Sequence, residues 1–437
     1  MIEWGIDKKA AFLIIRLISC LAILIRMNAK VTAHQAFLRE SNLSLVLQLI
    51  HDEAPVSRAR LASETGLNKS TVSSLVEELL RLNLVHETGI NSTGAGRPAT
   101  LLEINPEAGG IIGVELGVDF VSVVLTNFIG KVFWRERAEA DPTASIEKTL
   151  DQALELIKKA VAVSRTARFL IMGLSFSIPG TVDIEEGLVI FAPNLNWHNV
   201  ALCDIFSAAT GLKVFIENDA NAAALAEHLF GAAQKLKDFI FVFAGVGLGG
   251  GLFLNGELYR GKGGYAGEIG HTPIMAEPFQ NPCHCGNLGC WETYANQDSI
   301  VSRVQSRINA KQDEKILSLM NQEGKPLSIS IIKQAADMGD EAVIDSLTEA
   351  GTAMGNGLAG LVNIFNPEKI IIGGPVSVVG DYLLPFIRKS VDKHSMPEIA
   401  VQTEVGLSAF GPDASLIGAV AVVVNDILSN PSHVERR

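Results

Sequence analysis

Residues 264–292 read GYAGEIGHTPIMAEPFQNPCHCGNLGCWE. Three of the chain's five cysteines, Cys283, Cys285 and Cys290, fall here in a C-x-C-G-x-x-G-C array. Gly286 and Gly289 let the backbone fold back tightly, because glycine tolerates positive φ. Three thiolates and the imidazole of His271 make a closed tetrahedral zinc set with no open position for a reactive water, so the metal reads as structural. The competing readings are a disulfide or three free thiols. The DNA-binding segment described below implies a reducing compartment, which disfavours a disulfide, and two cysteines one residue apart bridge poorly. Glu268 and Glu292 lie among these ligands. A metal staple fixes the loop around it, so both carboxylates could point into one pocket and accept hydrogen bonds from a sugar or other polyol. They read equally well as solvated loop acids.

A chain of 437 residues is expected to hold more than one domain. With 48% hydrophobic and 19% charged residues it is well cored rather than disordered. Aromatics at 6% and 40 glycines suit an α/β architecture with glycine-rich ligand loops. A net charge of −12 excludes a protein that coats nucleic acid with its whole surface, but not a small DNA-reading module.

Residues 1–40 form a leader and an N-terminal arm. Lys8 and Lys9 precede AAFLIIRLISCLAILIRM. This resembles a signal peptide, and LISC ending at Cys20 resembles a lipoprotein cleavage box. Arg16 interrupts the apolar run, which is too short to span a membrane. Met27 is therefore expected to be the natural start, with an amphipathic extension as the alternative. No membrane association is expected.

Residues 41–106 have the order of a winged helix-turn-helix. Leu43, Val46, Leu47 and Ile50 recur at helical spacing over 42–51. Ser57 can cap a second helix, Gly66 supplies a turn, and Asn68 can cap a third helix, KSTVSSLVEELLRLNL. Its apolar face is Val72, Leu75, Val76, Leu79 and Leu82. Its N-terminal polar face, Asn68, Lys69, Ser70, Thr71, Ser73 and Ser74, suits base edges or phosphates in a major groove. Two strands, 84–87 and 99–104, flank a glycine loop as a wing, from which Arg97 could enter the minor groove. Five basic residues face seven acidic ones over 41–106, which favours the alternative of a helical dimerisation module. The order and spacing of the elements favour DNA.

From Gly109 the pattern changes. IIGVEL, VSVVLTN and KVFWRE read as a three-strand meander. A helix over 146–163 follows, then strands FLIMGLSFS and KVFIEN and the helix DANAAALAEHLF. The strand DFIFVFA starts what looks like a second round of meander, helix and strand. Such alternation argues for an α/β fold, weakly duplicated. Gly245, Gly247 and Gly250 match G-x-G-x-x-G only formally. A dinucleotide loop must open a helix, whereas residues 252–258 read as a hairpin turning at Asn255-Gly256. The glycine loop can still offer N–H groups to a phosphate. Glu217, Asn218 and Asp219 stand where a strand enters a helix, a favoured place for ligand groups. Asp219 reads as a general base or as a helix N-cap.

GEIGH and CHCGNLGCWE, with ENDANAAAL, GVGLGGG, SIPGTVD and IIIGGP in the same order, resemble the ROK family of repressors, open reading frames and sugar kinases. The resemblance spans about 109–426. The preceding winged helix is similar to that of the family's transcriptional regulators, such as its xylose and N-acetylglucosamine repressors. It implies a two-lobed actin-like ATPase (ribonuclease H-like) fold around a sugar cleft, in a homodimer or homotetramer. Residues 107–437 would be this domain: lobe one over 107–220 with helix 413–430, lobe two over 221–412. Asn218, Asp219, Glu268, His271 and Glu292 would contact the sugar, and His271 would also ligate zinc with Cys283, Cys285 and Cys290. Asp219 matches the kinases' catalytic base.

Two phosphate loops depart from the family pattern. D-x-G-x-T becomes Glu115-Leu116-Gly117-Val118-Asp119, with a negative charge where phosphate would lie. G-T-G becomes Gly245-Val246-Gly247 and loses a hydroxyl. Sugar residues are kept while nucleotide residues are eroded, which counts against ATP as a ligand. The expectation is a cytoplasmic, sugar-responsive regulator that represses carbohydrate-utilisation genes at a double-stranded operator and carries structural zinc. The competing readings are an ATP-dependent sugar kinase of the glucokinase kind, alone or bifunctional, and a regulator read by a protein partner.

Overall fold

The structure is a computed structural model and describes residues 35–91, 99–141, 143–275, 280–311, 314–323 and 326–434. The leader with Cys20 and the wing residue Arg97 lie outside the described residues. The chain divides into two compact units. One comprises residues up to Asn105 and those from Asp426 onward; the other runs from Pro106 to Asn425.

In the first unit, helix α1 covers residues 35–53, longer than the 42–51 expected. It buries Leu43, Val46, Leu47 and Ile50. Strand β1 (Val56–Ser57) leads into α2 (Arg58–Thr65), where the Ser57 hydroxyl accepts from Arg60 N at 3.3 Å. Gly66 ends α2 in the left-handed region at φ 69°. Asn68 Oδ1 then caps α3 (Lys69–Arg81) by accepting from Thr71 N at 2.8 Å. The helix stops before the expected Leu84, because Asn83 turns left-handed at φ 59°. Glu78 is buried within α3 and paired with Arg39. Strands β2 (Val85–Asn91) and β3 (Ala99–Ile104) pair antiparallel, giving a sheet of order β1-β3-β2. The chain's end returns to this unit: the Ser44 hydroxyl donates to Leu428 O at 2.9 Å, and Ser432 N to Glu40 Oε1 at 3.1 Å. Residues from Asp426 thus cluster with the N-terminal unit rather than with lobe one.

The second unit holds two five-stranded sheets of one topology. In the first, β4 (Gly110–Leu116), β5 (Phe120–Asn127) and β6 (Val132–Glu139) form the antiparallel meander. After α4 (Ile146–Ala167), β7 (Ile171–Ile178) adds parallel to β4. A small sheet follows from β8 (Thr181–Asp183), β9 (Leu188–Ala192) and β10 (Trp197–Val200), then α5 (Leu202–Thr210). Strand β11 (Val214–Asn218) closes the order β11-β7-β4-β5-β6 and runs into α6 (Asp219–Phe230).

The second sheet repeats the scheme with β12 (Phe239–Ala244), β13 (Leu248–Leu254) and β14 (Glu257–Tyr259) as its meander. The helices α7 (Glu292–Ala295), α8 (Gln297–Lys311), α9 (Glu314–Glu323), α10 (Ile329–Asp337) and α11 (Glu341–Phe365) precede β15 (Lys369–Gly373). Then come α12 (Gly380–His394), α13 (Pro397–Ala400), β16 (Glu404–Leu407) and α14 (Ala414–Ser429), giving the order β14-β13-β12-β15-β16. The central strands read as continuous apolar runs because both faces are covered, and every residue of β4 is buried. The duplication suggested by the sequence is thus present strand for strand. The expected hairpin at Asn255-Gly256 is present too, with φ 56° and 81°.

Helix α6 is buried on all sides: Ala220, Ala222, Ala223, Ala224, Leu225, Ala226 and Leu229 lie inside. Its neighbours approach to backbone distance. A Cβ on Gly251 of β13 would lie 2.6 Å from Ala220 O, and one on Gly418 of α14 would lie 2.3 Å from the Ala222 carbonyl carbon. Among the described residues one helix is apolar and long enough to cross a membrane, Gly411–Ser429, and 67% of it is buried inside the protein, as in a core helix.

Gly418→Val should destabilise the protein by about 3 kcal/mol, because the α6 backbone has nowhere to go. Gly360→Ala, where a Cβ meets nothing within 4 Å on an exposed turn of α11, should stabilise by about 0.5–1 kcal/mol. Urea unfolding of the two variants checks both.

Candidate functional site

Strand β11 delivers three polar residues in a row. Glu217 is 2% exposed. Its Oε2 accepts from Arg260 Nε at 3.1 Å and Nη2 at 2.6 Å, and its Oε1 from Asn218 N at 3.1 Å and Asn221 Nδ2 at 3.2 Å. Asn218, not Asp219, is the N-cap of α6: its Oδ1 accepts from Ala220 N at 3.0 Å and Asn221 N at 3.2 Å. Its Nδ2 donates to Gly180 O at 3.0 Å, which ties the SIPGTVD loop to the helix start. Only one N–H of its amide is left over for a ligand. Asp219 is the first residue of α6 and half-buried. Burial pushes its carboxyl up to about 7; the Ala220 N–H opposes this and the nearby Glu268 charge adds to it.

The GEIGH segment lies flat on β13. Gly250 N donates to Gly267 O at 2.8 Å, and a Cβ on Gly267 would sit 1.9 Å from Gly250 O. A Cβ on Gly270 would sit 2.2 Å from Leu248 O. Both glycines are needed for this close approach, which fixes Glu268 and His271 to a strand. Glu268 remains half exposed, and its carboxyl is raised first by burial and also by Glu292, against His271.

The donor atoms of His271, Cys283, Cys285 and Cys290 all lie within 4.8 Å of one another. Cys285 and Cys290 Sγ are 3.7 Å apart, and Cys283 Sγ is 3.6 Å from His271 Nδ1. Zinc–sulfur bonds of about 2.3 Å and zinc–nitrogen bonds of about 2.0 Å at tetrahedral angles imply donor separations of about 3.5–3.8 Å. Both of these separations fit zinc, the donor set is of the right chemistry, and all four described cysteines are unbridged. Nδ1 is the nitrogen that faces the thiols, so Nε2 is turned toward Glu268, whose Oε2 lies 3.8 Å away. Glu292 Oε1 stands 2.8 Å from Cys283 Sγ and 3.5 Å from His271 Nδ1. Glu268, His271 and Glu292 therefore gather at one place.

Trp291, which the residue patterns did not single out, anchors the motif. It is buried, donates Nε1–H to Ala353 O at 3.1 Å, and lies on Gly357 of α11, where a Cβ would meet its ring at 2.2 Å. Tyr294 also holds the loop, its hydroxyl accepting from Asn281 N at 2.7 Å.

The two glycine turns differ in what packs on them. At the β4–β5 turn the Phe120 ring lies against Gly117, 2.2 Å from where a Cβ would stand. The Arg137 guanidinium covers the ring at 3.5 Å. Asp119 is exposed beside it. Glu115 is buried, and burial pushes it up to about 8; Arg137 opposes, while Asp219 and Asp413 add to the rise. In the other turn Gly245 N donates to Gly247 O at 3.0 Å, and Val246 O accepts from Asn296 Nδ2 at 2.6 Å. Phe120 and Arg137 carried no motif that a sequence reading could use.

On α3, Asn68, Lys69, Ser70 and Ser74 are exposed, and Thr71 and Ser73 half-buried. Ser70 Oγ donates to Asn68 Oδ1 at 2.6 Å and Ser73 Oγ to Lys69 O at 2.9 Å. Arg58 pairs with Glu87, and Arg60 with Glu53 and Glu64. Such exposed pairs are weak and can exchange their acid for a phosphate.

The profile of the ROK family matches residues 111–426. The chain is 36% identical over 401 residues to a xylose repressor of Caldicellulosiruptor bescii, covering 92% of this chain and 99% of that one. Its structure is similar to that of a ROK family transcriptional regulator described as a homologue of the Escherichia coli Mlc protein. The TM-score is 0.78 at 30% identity, over 91% of this chain and 99% of the other. It is also similar to a ROK family glucokinase from Streptomyces griseus in complex with glucose and AMPPNP. There the TM-score is 0.64 at 34% identity, over 72% of this chain and 99% of the other.

Cys285→Ser should lose bound zinc and lower stability, since structural zinc binding is folding free energy; elemental analysis and thermal melting read both. Glu115 gives a pH prediction. Its folded value lies above its ordinary 4.5, so the folded chain holds an extra proton in that window. Its contribution therefore falls as pH rises from about 4.5 to 8. Glu115→Gln should flatten this slope. Relative to wild type, the variant should gain at least about 1 kcal/mol between pH 5.5 and 8.5, one pKa unit being ~1.4 kcal/mol.

Proposed function

The chain belongs to the ROK family, and on that footing we propose that it is a sugar-responsive, DNA-binding repressor of carbohydrate-utilisation genes. The observation that carries this is the contrast between the two halves of the site. Asp219, Glu268, His271 and Glu292 gather polar atoms at one place, whereas at the β4–β5 turn the Phe120 ring packs against Gly117 and the acids Glu115 and Asp119 stand on either side of that glycine in sequence. Relatives named as repressors support the same reading along nearly the whole chain, including the winged unit.

In this reading a sugar sits between α6 and the GEIGH segment. Asp219, with its carboxyl poised near 7, and Glu268 accept hydrogen bonds from hydroxyls. His271 Nε2–H and the remaining N–H of Asn218 donate at the rim, and Glu292 closes the far side. His271, Cys283, Cys285 and Cys290 would hold a structural zinc, which supplies rigidity to the loop rather than chemistry. The sugar's contacts differ between open and closed arrangements of the two sheets, and that difference is the free energy available to shift the equilibrium. In a homodimer or homotetramer the shift would change the spacing of two α3 helices, and with it their match to the half-sites of an operator.

A kinase reading has one observation in its favour: the Asp219 carboxyl, raised by burial to about 7, suits a general base for a sugar hydroxyl. Sugar-dependent ADP release across hexoses and pentoses would decide for it.

A thermal-shift screen should show D-xylose or a related sugar raising the melting temperature, with about 2.7 kcal/mol of stabilisation at a hundredfold excess over Kd. No shift with any aldose or amino sugar would refute the sugar reading. Lys69→Ala should weaken binding to DNA selected from a random pool by the full-length protein. It should lower the salt slope by about one, with the sugar shift unchanged. Fluorescence anisotropy at several salt concentrations measures this, and an unchanged affinity would remove α3 from the interface.

A further inference from the structure

Glu217 takes no part in the contacts assigned to a sugar, yet it is a carboxylate only 2% exposed. A buried charge persists only when paired and hydrogen-bonded. Glu217 meets both conditions: Arg260 supplies two donors to Oε2, and Asn218 N and Asn221 Nδ2 supply one each to Oε1.

The place of each partner gives the pair its meaning. Glu217 immediately precedes Asn218 and Asp219, at the edge of the first sheet. Arg260 lies just beyond β14, at the edge of the second sheet, and opens the run that ends in Glu268. That run contains four glycines at positive φ, Gly261, Gly263, Gly264 and Gly267. Its own backbone therefore sets few preferences. Its neck is closed by Arg260, whose carbonyl accepts from Ala266 N at 3.0 Å. Helix α6 is separately gripped at Gly251 and Gly418, where a Cβ would lie 2.6 Å from Ala220 O and 2.3 Å from the Ala222 carbonyl carbon.

We propose that the Glu217–Arg260 pair is a positioning device that sets the spacing between Asn218-Asp219 and Glu268-His271, and through it sugar affinity. The proposal rests on the sugar reading above. The planar guanidinium fork fixes an orientation that a lysine ammonium cannot.

The test uses the full-length, zinc-loaded protein and two variants. E217Q/R260Q removes both charges and leaves neither buried alone; R260K keeps the charge and loses the fork. Hydrogen exchange is followed at residues 261–268 and in β12 and β15, and D-xylose and D-glucose are titrated by calorimetry. In E217Q/R260Q, exchange over 261–268 should rise at least tenfold while β12 and β15 keep wild-type rates. The Kd of whichever sugar binds the wild type should rise at least tenfold. R260K should fall between, and decides by the same readings if the double variant does not fold. Wild-type exchange at 261–268, an equal rise throughout, or local loosening with unchanged sugar affinity would each overturn the proposal. If neither sugar binds the wild type, the sugar reading fails for these probes, and the exchange result still decides whether the pair positions the segment.

Discussion

The backbone of α6 lies within contact distance of β13 on one side and α14 on the other, with glycine at each approach. A helix so placed can carry almost no side-chain bulk, and DANAAALAEHLF supplies little more than alanine through its middle. Burial on all faces makes the helix a fixed axle between the two sheets. Three of the polar residues of the site stand at its first turn. Asn218 caps it and pins the Gly180 loop, Asp219 opens it, and Glu217 reaches across to Arg260.

The same logic of close approach governs the GEIGH segment. Gly267 and Gly270 allow it to lie on β13, and the cysteine loop then stands over it with Trp291 sunk against α11. A zinc ion held by His271 and the three cysteines would join these two loops, which already meet through Trp291 N and Thr272 O. His271 turns one nitrogen to the thiols and the other toward Glu268, so a single ring joins the cysteine cluster to the carboxylates, and any tilt of that ring would move both.

The strands, the meanders, the N-caps at Ser57 and Asn68 and the metal set were legible in the sequence, because each rests on local rules: period, turn chemistry and ligand spacing. The duplicated topology was faint in the sequence and unmistakable once β4-β5-β6-β7-β11 and β12-β13-β14-β15-β16 could be laid side by side. Asp219 read in the sequence as a general base or as an N-cap, and it is Asn218 that makes the cap. Three features left no local trace. Arg260 is one arginine among many until Glu217 is found beside it, 43 residues away in sequence. Phe120 looks like any strand aromatic until its ring is found against Gly117. The return of the chain's end to α1 depends on Ser44 and Leu428, whose pairing no periodicity encodes.

That last contact bears on descent. The first unit is discontinuous in sequence: residues up to Asn105 and those from Asp426 onward cluster together, with Pro106–Asn425 inserted between them. A single crossover near Asn105 would transplant the first of these segments without the second, which packs on it through Ser44 and Leu428. Exchange of this unit between related genes would thus call for paired crossovers, one on each side of the insertion.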